Sequence, residues 1–488
     1  MTIVPIPFAA DDRTRQLEAM AAHELDVLVV GGGVTGVGVA LDAATRGWSV
    51  GIIERDDWAC GTSSRSSKMI HGGLRYLASG DISVVRESLR ERRRIQNNAA
   101  HLTRPLPMLL PIYGRGPVPL QRTKLGIGMW LYELLGHRAA AGSFHSWLKL
   151  PQLTRLVPGV ALDSKEGGGR LRGAYHYHDG SADDVRLVLS ILRAAIRHGA
   201  NAVNGAPALR MLREGDRVVG AVVGGDAAAA AAGAVDGELT IKARVVVNAT
   251  GVWADRTVAE GEEARGVGFH VQPSKGIHLT VPRDRVGVDS GIAFFGQTDN
   301  SNVFIEPWQD DLAIIGTTDV PYDGDLEHPT ATDEDITWLL DHINAFLREP
   351  VRPEHVLSSW AGLRPLVVPD SAANEEQTKD VSRRHLLVDR PGVVTITGGK
   401  LTAYRAMAEM TGDAVGRQLG LQSRSRTRKL PLDGCRAQAS SGEIGQIAAQ
   451  LNISRGDVRH LLRRHGSNVP ALVAMIGERP ELGERLHP

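Results

Sequence analysis

Gly31, Gly33 and Gly36 stand in the spacing Gly-x-Gly-x-x-Gly, and the acidic Glu54 follows at the end of the next apolar run. Residues of these types, so spaced, hold a dinucleotide. The first glycine permits a tight turn, the second lets backbone approach a pyrophosphate, and the third lets helix and strand pack closely. Free N–H groups at the start of the helix, where Thr35 stands, present partial positive charge to the phosphates. Glu54 is placed to accept ribose hydroxyls. Two later segments bear on which dinucleotide is held. Val245-Val-Val-Asn-Ala-Thr-Gly251 ends an apolar run in Ala249, Thr250 and Gly251, small residues suited to a second close pass of backbone. Thr395-Ile-Thr-Gly-Gly-Lys-Leu-Thr402 reads as a strand, a turn at Gly398-Gly399 and a helix start at Lys400, Leu401 and Thr402. That start would stabilise an anionic reduced ring. A ligand touched by segments so distant in sequence is extended and buried, which suits tightly held FAD rather than NAD.

These residues need a scaffold. Residues 26–30 form an apolar run of the kind that makes a buried parallel strand. Residues 37–46 read as a short helix stopped by Gly47, and 48–53 as a second strand, completing a βαβ unit. Helices are expected over 81–98, which carries Arg86, Arg90, Arg92, Arg93 and Arg94, over 183–198 and over 333–348. Short strands are expected through 202–247, interrupted by an alanine run at 227–233. Strands are also expected at 312–316 and 393–397. The Pro-rich stretch 105–119 reads as irregular or edge-like. The tail beyond about residue 427 reads as a small helical appendage, with Ser454 as an N-cap.

With 488 residues the chain is too long for one ordinary core. Lysine plus arginine and aspartate plus glutamate number 56 each, so there is no basic excess to point to nucleic acid as a partner. Cys60 and Cys435 make neither a disulfide framework nor a zinc spacing, the pattern of a reducing compartment. No metal site is expected. The N-terminus lacks a signal-peptide pattern, and no run of about 18 apolar residues occurs.

The stretch Cys60-Gly-Thr-Ser-Ser-Arg-Ser-Ser-Lys-Met-Ile-His-Gly-Gly-Leu-Arg-Tyr-Leu77 closely resembles the signature of FAD-dependent glycerol-3-phosphate dehydrogenases of the aerobic, quinone-reducing type. Ile314-Ile-Gly-Thr-Thr-Asp-Val320, Gly362-Leu-Arg-Pro-Leu366 and Gly398-Gly-Lys-Leu-Thr-Ala-Tyr-Arg405 match further blocks of that family in the same order. The likeness covers roughly residues 24 to 415; the C-terminal seventy or so resemble the family's helical cap only loosely. It implies an α/β fold with α+β character in the substrate domain. A discontinuous Rossmann-like FAD domain (20–105, 172–265 and 385–415) would be joined to a substrate domain on a mixed or antiparallel sheet (106–171 and 266–384). A helical cap (416–488) would follow.

The resemblance also implies the chemistry. Oxidising a secondary alcohol that bears a phosphate needs a phosphate clamp, a proton acceptor, and a flavin to accept hydride. Arg75 and Lys400 are assigned to the phosphate, with Tyr76 donating one more hydrogen bond. Arg364 would sit by the alcohol oxygen. His71 is the best-placed base; Asp319 competes for that role or orients Arg364. Lys275 is carried as a substrate contact. The hydroxyl cluster Thr62, Ser63, Ser64, Ser66 and Ser67 would lie against flavin and pyrophosphate, while Trp253 reads as packing. Electrons would pass to a membrane quinone, so the protein is expected at the cytoplasmic face of the cell membrane, held peripherally. Residues 124–138, apolar in the middle and basic at both ends, and the arginine-rich helix would make that contact. The oligomeric state stays open, with a homodimer as the alternative to a monomer. Three other readings stand beside this one: a soluble oxidase passing electrons to oxygen, an amine-oxidising flavoenzyme, and a non-catalytic flavin-binding subunit.

Overall fold

The structure, a computed structural model, describes residues 10–78, 80–114, 118–136, 144–164, 169–231, 233–258, 268–295, 302–309, 311–369, 385–435 and 439–484. Two sheets organise them. The first has the strand order His385–Arg390, Val393–Gly398, Leu239–Asn248, Leu25–Val30, Val50–Ile53, Asn201–Val203. From Val393–Gly398 to Asn201–Val203 all neighbours are parallel, and His385–Arg390 joins antiparallel. Parallel strands must be covered on both faces. Alternation along Leu25–Val30 does this: Val27 and Val29 face a core shared with the helices Val34–Arg46, Asp184–Arg197 and Tyr404–Leu419. Leu28 and Val30 face the other way. There they meet the helix Arg13–Ala21 and the antiparallel strands Ala208–Glu214 and Arg217–Val223. The alanine run makes a short helix, Asp226–Ala229, in the connection that follows.

The βαβ unit expected from the sequence is present. Its helix, Val34–Arg46, ends at Gly47, whose φ of +90° is a left-handed conformation that glycine adopts freely.

The second sheet runs Val320–Pro321, Phe269–Pro282, Leu312–Gly316, Asn302–Trp308, Gly291–Phe295, Thr103–Gly114, Gly169–Ala182, Met69–Ile70, with Ser358–Pro369 also paired to Phe269–Pro282. All of these neighbours are antiparallel except Gly291–Phe295 against Thr103–Gly114. One face buries Ile277, Leu279, Ile305 and Ile315 beneath Leu339, Leu340 and Ile343 of the helix Asp333–Asn344. The alternate residues, Ser274, His278, Glu306 and Arg364, fall on the opposite face. That face is pressed against the serine-rich segment: Thr62 Oγ1 donates to the Leu363 carbonyl, and Ser67 Oγ meets His278 Nε2.

Two expectations need correction. The Pro-rich stretch is neither irregular nor an edge: Thr103–Gly114 is an interior strand paired along its length with Gly169–Ala182. Pro105, Pro107 and Pro111 all have the same parity, so their missing N–H groups lie on one side and the ladder forms on the other. Because Gly169–Ala182 belongs to this sheet, the chain returns to the nucleotide-binding half near Asp183, later than residue 172.

The helices Ser441–Leu451, Arg455–His465 and Val469–Glu478 close on a small core of their own around Val458 and Val469. Ser454 accepts the Asp457 N–H, as an N-cap should. Asp433 ties this module to the main body through Arg193 and Arg197. Cys60 and Cys435 are free thiols. Among the described residues no helix is long and apolar enough to cross a membrane.

Candidate active site

The strand ends marked by the sequence converge on one cavity of about 460 Å³. Leu25–Val30 has Val50–Ile53 on one side and Leu239–Asn248 on the other, so the chain leaves it in opposite directions. Parallel sheets bind nucleotides at such a switch point. Gly31, Gly33, Thr35, Glu54, Thr62, Ser63, Ala249, Thr250, Gly251, Gly398, Gly399, Lys400 and Leu401 all line the cavity.

Close backbone approach explains the glycines. A Cβ on Gly31, whose φ is +110°, would lie 2.6 Å from the Ala249 carbonyl oxygen, and one on Gly36 would lie 1.9 Å from that of Gly31. Gly36 therefore packs helix on strand and does not line the cavity. The first turn of Val34–Arg46 opens into the space with its N–H groups forward. One of these, on Val34, donates to Ser63 Oγ at 2.9 Å. Glu54 accepts N–H from Gly32 at 2.6 Å and from Asp56 at 2.9 Å, so it braces the glycine turn. Burial pushes its carboxyl pKa up, against those hydrogen bonds. Each carboxylate oxygen retains a lone pair for a ribose hydroxyl. A helix start for pyrophosphate, an acid for ribose and a floor of small residues fit FAD.

Besides Gly36, three residues of the expected cofactor set do not reach the cavity. Ser64 turns back on the carbonyls of Cys60 and Gly61. Ser67 is spent on His278. Thr402 is buried, its hydroxyl directed at the His71 carbonyl oxygen 3.5 Å away. Trp253, read from sequence as packing, instead lines the cavity, with the Arg55 guanidinium 5.1 Å from its ring centroid.

Lys400 lies at a junction. It lines the large cavity and also a smaller one of about 180 Å³, shared with Ser83, Glu87, Ser88 and His385. Its Nζ stands 3.5 Å from the centroid of the Tyr76 ring, a cation–π contact. Gly73 makes that possible, since a Cβ there would meet the Tyr76 ring at 2.8 Å. Arg75 is on the same short helix, Leu74–Ala78, but its side chain lies outside the described residues. The turn that carries His71, Gly72 and Gly73 is pinned from below. Gly72 N–H donates to buried Asp179, which also takes Arg92 and the Tyr132 hydroxyl.

Arg364 lies on the large sheet and does not itself line the cavity. Its guanidinium donates to Asp319 and to Thr317 Oγ1 at 3.2 Å each, and to the Thr318 carbonyl at 3.0 Å. Asp319 also accepts the Ser274 hydroxyl, so it orients Arg364. Pro365, next along the strand, lines the same cavity as Lys400. Lys275 is not brought to this cluster. Strand alternation turns it to the other face, where it pairs with Asp335, the capping residue of Asp333–Asn344.

One neighbour was missed from sequence. His278 is fully buried, stacked on Trp360 at 5.1 Å, and pushed down to about 3 by burial and by the cations Arg364 and Lys68. Nothing in its local sequence distinguishes it from a core histidine.

The family described as FAD dependent oxidoreductase matches residues 26–405. A glycerol-3-phosphate dehydrogenase of Mycobacterium leprae is 39% identical over 475 residues, covering 96% of this chain and 77% of that protein. An alpha-glycerophosphate oxidase of Streptococcus pyogenes serotype M3 is 31% identical, covering 96% and 84%. The X-ray structure of the glycerol-3-phosphate dehydrogenase from Bacillus halodurans complexed with FAD superposes with a TM-score of 0.75 at 32% identity, covering 97% of this chain and 84% of that one. The cofactor of this protein is FAD, and the chain belongs to the FAD-dependent glycerol-3-phosphate dehydrogenase family.

Proposed function

We propose that this protein oxidises sn-glycerol 3-phosphate to dihydroxyacetone phosphate and passes the electrons to a membrane quinone. The observation that carries the substrate is the position of Lys400, a half-buried residue whose ammonium is shielded from solvent between the FAD cavity and a side cavity large enough for a phosphate. When bound, FAD supplies the acceptor for the hydride of the carbinol carbon. Lys400, with Arg75 and Tyr76 from the neighbouring helix, holds the phosphate dianion. Arg364, oriented by Asp319, donates to the alcohol oxygen and favours the charge that develops there. His71 takes the hydroxyl proton. Hydride and proton together account for both electrons and both hydrogens lost by the substrate.

The membrane contact is supported by a surface. The helix Val118–Leu135 exposes Ile127, Trp130 and Leu134 on one side. Leu135 then shares a groove with Arg86, Arg90, Arg93, Arg94, Arg428 and Lys429. An apolar helix face beside a basic groove suits an anionic bilayer surface. Of the basic ends of the expected segment, the side chain of Lys124 and the whole of Arg138 lie outside the described residues.

Anaerobic addition of glycerol 3-phosphate should bleach the bound flavin, whereas glycine and sarcosine should not. Bleaching by an amine alone would overturn the substrate. Co-sedimentation with anionic vesicles and reduction of a soluble quinone should accompany it. Stoichiometric peroxide release without vesicle binding would instead make the protein an oxidase.

A further inference from the structure

Between the serine-rich segment and the inner face of the large sheet lies a set of buried polar groups that the reaction above does not use. Glu306, on Asn302–Trp308, is fully buried, and neither carboxylate oxygen has a hydrogen-bond partner among the described residues. Ser181, also buried, stands beside it, and its hydroxyl opposes the effect of burial on the carboxyl. The groups that face Glu306 are Ser181 from Gly169–Ala182, Arg104 from Thr103–Gly114, and Lys68 from the segment ahead of Met69–Ile70. Lys68 Nζ and the Arg104 guanidinium both stand over the Trp308 ring, at 5.9 Å and 5.8 Å. Trp308 is two residues beyond Glu306 on the same strand face.

Lys68 has another partner. Its Nζ donates to Asp184 Oδ1 at 2.7 Å and to the Ser64 carbonyl at 3.3 Å. Asp184 is fully buried and also accepts the Ser66 hydroxyl at 2.7 Å. Lys68 and Asp184 thus clasp the serine-rich segment. Within that segment Ser63 caps the nucleotide-binding helix and Ser67 holds His278.

We propose that Glu306 is a positioning residue, which competes with Asp184 for the Lys68 ammonium and so sets how firmly the serine-rich segment grips the FAD-binding helix. Burial raises the Glu306 carboxyl to about 8, so at neutral pH it is uncharged and leaves Lys68 to Asp184. Once ionised, a buried carboxylate needs a cation. The long flexible stem of Lys68 lets it move toward that charge more readily than a planar guanidinium. The Asp184 clasp then weakens, and with it the Ser63 cap.

The test needs no substrate, so it is independent of the activity proposed above. The dissociation constant of FAD is measured by flavin fluorescence between about pH 6.5 and about pH 9.5, bracketing the Glu306 ionisation. The wild-type protein is expected to lose affinity severalfold through about pH 8, while Glu306→Gln keeps its low-pH affinity throughout. A step of equal size in Glu306→Gln, or none in the wild type, overturns the proposal. Should Glu306→Gln fail to fold, the infrared carbonyl band of a protonated buried carboxyl is followed in the wild-type holoenzyme. Loss of that band at the pH of the FAD step supports the proposal; a band that titrates elsewhere, or not at all, overturns it.

Discussion

Ser63 Oγ accepts the backbone N–H of Val34 at 2.9 Å, across 29 residues of sequence. The helix Val34–Arg46 has Gly33 at its N-cap and therefore no capping side chain of its own. Glycine there leaves the backbone open to a pyrophosphate; the serine-rich segment supplies the missing cap from outside. One contact thus joins the nucleotide fingerprint to the segment that carries the family resemblance.

Ser63→Ala removes that cap, a loss of about 0.5–2 kcal/mol by comparison with other helices. FAD should bind more weakly, by up to roughly thirtyfold. Ser64→Ala should leave FAD affinity unchanged, since its hydroxyl points back at Cys60 and Gly61. Flavin fluorescence titration separates the two, and equal effects would show that the segment acts only through its packing.

Lys400→Met should raise KM for glycerol 3-phosphate on the order of ten- to a hundredfold, the cost of about 1.5–3 kcal/mol for a lost charged hydrogen bond. Lys400→Arg should recover part of it. Since Lys400 also lines the FAD cavity, flavin content is the control. A variant that purifies without flavin would shift the main role of Lys400 to the cofactor.

Arg364 reaches three partners with a planar fork, which lysine cannot reproduce. Arg364→Lys should therefore lower kcat by about a hundredfold, near the range seen for a lost oxyanion donor, with a smaller change in KM. Asp319→Asn should have a weaker effect of the same kind, because Thr317 and Thr318 still hold the guanidinium. Anaerobic rates of flavin reduction report this directly. An unchanged rate in Arg364→Lys would place the guanidinium outside the reacting centre.

Some of this was legible in sequence because local chemistry forced it. Gly31 and Gly36 are explained by contacts with Ala249 and Gly31 that any larger residue would violate. Ser454 marks a helix start by its side-chain hydrogen bond and Gly47 a helix end by its left-handed conformation. The rest depended on tertiary partners. Prolines at Pro105, Pro107 and Pro111 look like strand breakers until their common parity is set beside a single long partner strand. Lys275 carries the right charge in a plausible segment, yet one step of strand register turns it to Asp335 and away from Arg364. Ser64 and Ser67 cannot be told from Ser63 by composition; only the fold of the segment decides which hydroxyl meets the helix. His278 and Glu306 carried no local signal, since their properties come from burial under that segment.

Burial also gives the protein a pH dependence with a definite sign. His278 is neutral in the folded state, with its pKa pushed to about 3 from an ordinary 6.5, chiefly by desolvation. Between those values the unfolded chain binds a proton that the folded one refuses, so this contribution to stability is complete above about pH 6.5 and is lost as pH falls toward 3. His101 and His465, each pushed down to about 4, act in the same direction. Glu306 acts in the opposite one: its contribution is present below its ordinary 4.5 and is lost as pH rises through about 8. Stability should therefore peak in mildly acidic to neutral solution and decline on both sides. Urea midpoints measured across this range should fall on acidification, and His278→Gln should make that acid limb shallower without flattening it, because His101 and His465 remain. The same variant should leave the alkaline limb alone, whereas Glu306→Gln should flatten it. Identical acid limbs in the wild type and His278→Gln would mean that water reaches the His278 ring and that the stack on Trp360 does not seal it.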